Sequence, residues 1–198
     1  MNFLAHACLS FGKPDILVGN LIADTVKGKQ MEAYPENICK GIRLHRLIDS
    51  YTDSHPVVLQ TKELFKDSAG RYNGSFLDVS YDHFLSLDAD NTPIEGWQSF
   101  AAKCYKEIEL RGEILPPRFC NMYLYMKKED WLSNYGQMWM IERSFDRLKK
   151  RAEYLLDDAP VFADFEKNYN SIRDSYYSFF PDLKRYAEEM LESLYQIG

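Results

Sequence analysis

The sequence predicts an all-α fold in one helical domain. Three observations carry that reading. Apolar residues recur at steps of three and four along the chain, the spacing of one helix face. Strand signals are scarce: no Asn-Gly turn sits between alternating segments. Prolines fall where helices would start or stop.

The elements follow in order. Pro14-Asp15 opens the first clear helix, with Ile16, Leu17, Leu21 and Ile22 as its apolar face. Pro35-Glu36 opens the next, with Ile38, Ile42, Leu44 and Ile48. His55-Pro56 ends that helix and begins another, because a residue before proline avoids the helical region. Asn73-Gly74 leads into Leu77, Val79, Phe84, Leu85 and Leu87, a helical run and not a hairpin. Residues 71–74 and 88–93 read as short loops, and Pro93, Pro116-Pro117, Pro160 and Pro181 punctuate the rest. Arg147, Lys149, Lys150 and Arg151 form a basic run whose simplest reading is a solvated helix face. The pattern gives about eight to ten helices. There is no internal repeat and no linker long enough to split the chain, so one domain spans residues 1–198.

Composition narrows the function. A chain of 198 residues buries roughly 70% of its unfolded surface, enough for a real core. With 24 Lys and Arg against 30 Asp and Glu, the net charge is −6. Such a field disfavours nonspecific nucleic-acid binding, though not a local basic patch. No apolar run approaches the roughly 18 residues that span a membrane. The opening MNFLAHACLSF lacks a positive leader region, so a cytoplasmic location is the expectation. Four cysteines at irregular spacing, without a CxxC pair, predict reduced thiols.

Histidine is scarce, so the neighbours of His6, His45, His55 and His83 are informative. His45, Asp49 and Asp53 are spaced i, i+4, i+8, along one helix face with successive offsets of about 40°. His45 and Asp49 can share one metal or one hydrogen-bond network. Asp53 is about 12 Å of rise from His45, so it serves a second ion or caps the next turn. Asp82-His83 is a second candidate, Asp24 ends an otherwise apolar helical face, and His6 sits among apolar residues. Asp78 reads as a helix-start carboxylate and His55 as a surface loop residue. Each signal alone fits structure as readily as function. Together, imidazole and carboxylate without thiolate suit Mn, Fe, Mg or Zn in a hydrolytic site. Arg43 and Arg46 flank His45, and guanidinium beside a metal suits phosphate recognition; exposed helix arginines are the plainer alternative.

Several islands resemble the acyl carrier protein phosphodiesterase family, the ACP hydrolases. They are Met1-Asn2-Phe3-Leu4-Ala5-His6, Gly19-Asn20-Leu21-Ile22-Ala23-Asp24, the stretch Gly41 to Asp49 with Thr52-Asp53, and Tyr81-Asp82-His83-Phe84-Leu85. Pro116-Pro117-Arg118-Phe119 and Trp131-Leu132 match in character and order. The islands are strong over about residues 1–135 and thin afterwards. The resemblance implies an all-helical protein related to the HD-domain phosphohydrolases. It implies hydrolysis of the phosphodiester joining 4′-phosphopantetheine to a serine of acyl carrier protein, giving the apo form. It implies a divalent metal, manganese first, with Mg2+ or Fe2+ as alternatives. The HD order departs here, since no His-Asp dipeptide occurs and the adjacent pair is Asp82-His83. The implied ligands are Asp24, His45, Asp82 and His83, with His6 behind them. Asp49 is left with three roles: ligand, orienter of His45, or catalytic base.

The implied partner, acyl carrier protein, is acidic, so docking requires a local positive patch. Arg43, Arg46, Arg118, Lys127-Lys128 and the 147–151 cluster are the candidates. Two other readings stay open. One is an HD-like phosphohydrolase acting on a nucleotide or other small phosphoester. The other is a noncatalytic helical protein that binds an acidic partner. The oligomeric state is not encoded in these patterns.

Overall fold

The computed structural model describes residues 1–196, and no strand occurs among them. The chain runs through α1 (Phe3–Cys8), α2 (Pro14–Ile22), α3 (Glu36–Ser54) and α4 (Pro56–Thr61). It continues through α5 (Lys66–Ala69), α6 (Asn73–Leu87), α7 (Gly96–Glu109) and α8 (Pro117–Lys128). The last four are α9 (Trp131–Asn134), α10 (Met138–Arg151), α11 (Val161–Lys167) and α12 (Tyr169–Gln196). Pro14, Pro56 and Pro117 each begin a helix, where a missing N–H leaves nothing unpaired. The twelve α-helices among the described residues exceed the eight to ten that periodicity predicts. The surplus lies in single turns such as α5 and α9, each 4 residues long, too short to show a period. Residues 71–74 are not a loop: a 3₁₀ turn at Gly70–Tyr72 runs directly into α6.

One hydrophobic cluster draws residues from α1 to α12, making a single all-α domain. Its tightest helix pair is α2 against α3. A Cβ built on Gly19 or on Gly41 would stand 2.9 Å from the other glycine's Cα, and each would strike a carbonyl oxygen of the facing helix. Only hydrogen at both positions lets the two backbones approach this closely. The inward face of α3 is Ile38, Gly41, Ile42, His45, Ile48 and Thr52, all buried. Its three-and-four spacing carries His45 inward with the aliphatics. The long α12 spans the other side, burying Tyr176, Phe179, Phe180 and Leu183 despite Pro181 within it.

All four cysteines are unpaired, as their spacing predicts. Among the described residues, no helix is long and apolar enough to cross a membrane.

Candidate metal centre and its cleft

A 6-residue helix is marginal on its own, so α1 must be held from outside. Asp82, buried in α6, accepts the N–H of Leu4 at 2.7 Å, of Ala5 at 3.2 Å and of Asn2 at 3.3 Å. These are the donors that a helix start leaves unsatisfied. At the other end, Asn20 Nδ2 and Ser10 Oγ donate to the His6 carbonyl at 2.9 and 2.7 Å. The backbone of His6 is thereby fixed against both α2 and α6.

His6 and His45 meet as stacked rings, 4.0 Å between centroids and 19° between planes. Asp49 touches both: Oδ1 is 3.2 Å from His6 Nε2 and Oδ2 is 3.0 Å from His45 Nε2. Asp24, in the 3₁₀ turn that follows α2, places Oδ1 at 3.2 Å from the same His45 nitrogen. One donor atom from each of His6, His45 and Asp49 lies within 4.8 Å of the others. Both ring nitrogens of His6, Nδ1 of His45 and Oδ1 of Asp49 are buried without a hydrogen-bond partner. Buried polar atoms are rarely left unpaired. A donor set of imidazole and carboxylate is what a divalent ion would satisfy.

The electrostatics are polarised. Burial pulls His45 down, but its hydrogen bonds to Asp24 and Asp49 outweigh this and raise it to about 9. Burial and the neighbouring His45 lower His6 to about 4. Burial opposes ionisation of Asp49, yet the two histidines hold its carboxyl well below the usual range. The Asp24 carboxyl is lowered chiefly by its bond to His45. The Met1 amino group, buried at this edge, lies 3.0 Å from Asp78 and 3.8 Å from Asp49.

The fold brings the candidate residues together unevenly. His45 and Asp49 share a face as the i, i+4 spacing predicts, and Asp24 and His6 join them. Asp82 does not: its carboxylate is spent on the α1 backbone. His83 is also engaged elsewhere. Its Nδ1 lies 2.9 Å from the Tyr135 carbonyl and its Nε2 2.9 Å from the Tyr169 hydroxyl. The Asp82-His83 pair thus points in two directions, as adjacent helix residues do. Arg46 is exposed and donates to the Val26 carbonyl at 3.2 Å, bracing the turn that carries Asp24. Arg43 is exposed on α3, and Asp53 is exposed in its last turn. His55 is no free loop residue: it packs edge-on against Phe179. Asp78 lies within α6 and not at its start. Its spacing of four from Asp82 placed it on the same face, a signal that could have found it.

Beside the cluster lies a cleft of about 200 Å³, lined by Asp24, Asp78, Trp131, Arg147 and Arg151 among others. No sequence spacing connects Arg147 with His6 or His45; only the fold does. A larger groove of about 720 Å³ lies beyond Thr25, lined by Lys27, Tyr34, Pro116 and Arg118.

The family model for acyl carrier protein phosphodiesterase matches residues 1–183, well past residue 135. A Pectobacterium atrosepticum protein named acyl carrier protein phosphodiesterase is 34% identical over 192 residues, covering 95% of this chain and 98% of its own. A Photorhabdus laumondii protein of the same name is 32% identical, covering 95% and 96%. An Escherichia coli O45:K1 protein, also so named, is 32% identical, covering 94% and 97%. No solved structure matches the chain.

Proposed function

The chain belongs to the acyl carrier protein phosphodiesterase family, and from that premise we propose that it hydrolyses holo-acyl carrier protein. The bond cut is the phosphodiester between 4′-phosphopantetheine and the carrier serine, leaving the apo form. The observation that carries this reading is the His6–His45–Asp49 cluster, with its unpartnered buried donors, opening beside a cleft walled by arginine.

In this reading His6, His45, Asp49 and Asp24 hold a divalent ion, manganese first. When bound, the ion supplies Lewis-acid stabilisation to the phosphoryl oxygens and acidity to water. Asp49 faces Nε2 of both imidazoles, the place of a shared ligand. Its strongly lowered pKa suits a ligand or orienter and makes it a poor base. Asp24 is the exposed member of the group and faces the cleft where substrate would enter. Asp82 supports the site through the α1 backbone, and His83 through the packing of α6. Arg46 braces the Asp24 turn, while Arg43 stands free on the surface.

The partner must be met locally, because the chain as a whole carries −6. Exposed Lys127 and Lys128 on α8, and Arg143, Lys150 and Arg151 on α10, supply cations for an acidic carrier.

The test is mass spectrometry of holo-acyl carrier protein incubated with this protein and Mn2+, beside an Asp24→Ala control. Loss of the phosphopantetheine mass, absent in the control, is the expected result. An intact carrier in the presence of folded, metal-binding protein would overturn the substrate assignment and point to a nucleotide or another phosphoester.

A further inference from the structure

The cleft beside the cluster has two cationic side chains on one wall. Arg147 and Arg151 are i, i+4 on α10 and, among the described residues, are the only Lys or Arg lining it. The carboxylates of Asp24 and Asp78 and the hydroxyls of Ser75 and Ser144 line the same space. The two arginines differ in how they are held. Arg151 is exposed. Arg147 is clamped: Nη2 bonds Glu129, and its guanidinium lies 4.8 Å over the Trp131 ring. Glu129 is itself shared, accepting Arg143 at 2.7 Å and the Trp131 indole N–H at 3.0 Å.

The clamp leaves one nitrogen over. Nη1 of Arg147 is buried and has no hydrogen-bond partner. A charged donor taken from water and left unpaired is unfavourable unless something else completes it. Were Arg147 only a staple for Glu129, Arg143 and Trp131 would already satisfy that carboxylate. A planar guanidinium preorganised by Glu129 and Trp131, on a side chain that lines the cleft and is 24% exposed, fits a phosphoryl oxygen better than a diffuse acidic surface.

We propose that Arg147, seconded by Arg151, is the phosphate-binding subsite of this cleft, gripping a non-bridging oxygen of the phosphoester. The inference rests on the reading above that the cluster is the reaction centre. It adds the residues that hold the phosphate and makes Arg147 a substrate-binding residue, not a surface ion pair.

The test uses the full chain and 4′-phosphopantetheine as probe, titrated by calorimetry into metal-free and Mn2+-loaded protein. Wild type should bind. Arg147→Gln should weaken binding at least about tenfold, the effect of losing one charge-assisted bond. Arg151→Gln should weaken it less, and circular dichroism should show both variants folded. Arg147→Lys keeps the charge but not the fork, and should fall between. Equal affinity in wild type and Arg147→Gln, or no binding by wild type in either state, overturns the proposal. If Arg147→Gln does not fold, Arg147→Lys decides, and unchanged affinity there overturns it. Failure of the carrier-protein reading appears separately, as wild-type protein that leaves holo-carrier intact while still binding the probe through Arg147.

Discussion

The rings of His6 and His45 lie face to face at 4.0 Å, although they come from helices that are not neighbours in sequence. Their pKa values separate: burial, with His45 beside it, lowers His6 to about 4, while hydrogen bonds to Asp24 and Asp49 overcome burial and raise His45 to about 9. A divalent ion would replace the proton on His45 and bind both neutral rings.

Metal should therefore stabilise the fold. At a free Mn2+ concentration near 100 times Kd, the gain is about 2.7 kcal/mol. Thermal denaturation should show a clear upward shift with Mn2+ that EDTA reverses. The shift should vanish in His6→Ala and His45→Ala. A shift that persists in both variants would place the ion elsewhere.

Asp49 and Asp82 should separate as ligand and scaffold. Asp49→Asn should lower Mn2+ affinity at least about tenfold. Asp82→Asn should keep affinity close to wild type but melt earlier, because an amide replaces the carboxylate that accepts three α1 N–H groups. The expected loss of stability is about 1–3 kcal/mol, read from denaturant midpoints. The reverse pattern would make Asp82 the ligand.

Gly41→Ala tests the helix pair that carries His45. The added Cβ would meet backbone atoms of α2, which cannot rotate away as a side chain would. Overpacking of this kind costs about 1–3 kcal/mol, with the upper end expected here. Urea denaturation should show it, and Gly19→Ala should behave alike. Wild-type midpoints in both variants would contradict the close approach.

Acid should destabilise the protein in part through His83. Burial lowers its pKa, and its two partners suit a neutral ring: Nδ1–H donates to the Tyr135 carbonyl and Nε2 accepts from the Tyr169 hydroxyl. Unfolded, the ring gains a proton near its ordinary pKa of about 6.5; folded, it does so only at lower pH. Stability is thus lost as pH falls below that value, by up to about 1.4 kcal/mol per pH unit for one proton. His83→Gln should flatten this limb of the stability profile. An unchanged slope would show that His83 does not titrate on unfolding.

The helical class was legible because its signals are local. The period of α3 puts His45 and Asp49 on one face, and the proline starts of α2 and α4 read directly from sequence. His6 and Asp24 were legible as unusual residues but not as partners, since nothing local brings α1 to α3. The role of Asp82 was not legible, for a physical reason. A buried carboxylate beside a histidine has the same appearance whether it meets an ion or three backbone N–H groups. Arg147 was legible only as one charge in a basic run; its burial depends on Glu129 and Trp131.

Trp131 makes the cleft visible to light. Its indole is buried against the Arg147 guanidinium and is one of 3 tryptophans in the chain, the others being Trp97 and Trp139. Among these, only Trp131 lines the cleft. A ligand that draws charge off its face alters the field on the ring, and emission follows. With Trp97 and Trp139 changed to phenylalanine, the protein becomes its own fluorescent gauge of occupancy, needing neither label nor turnover.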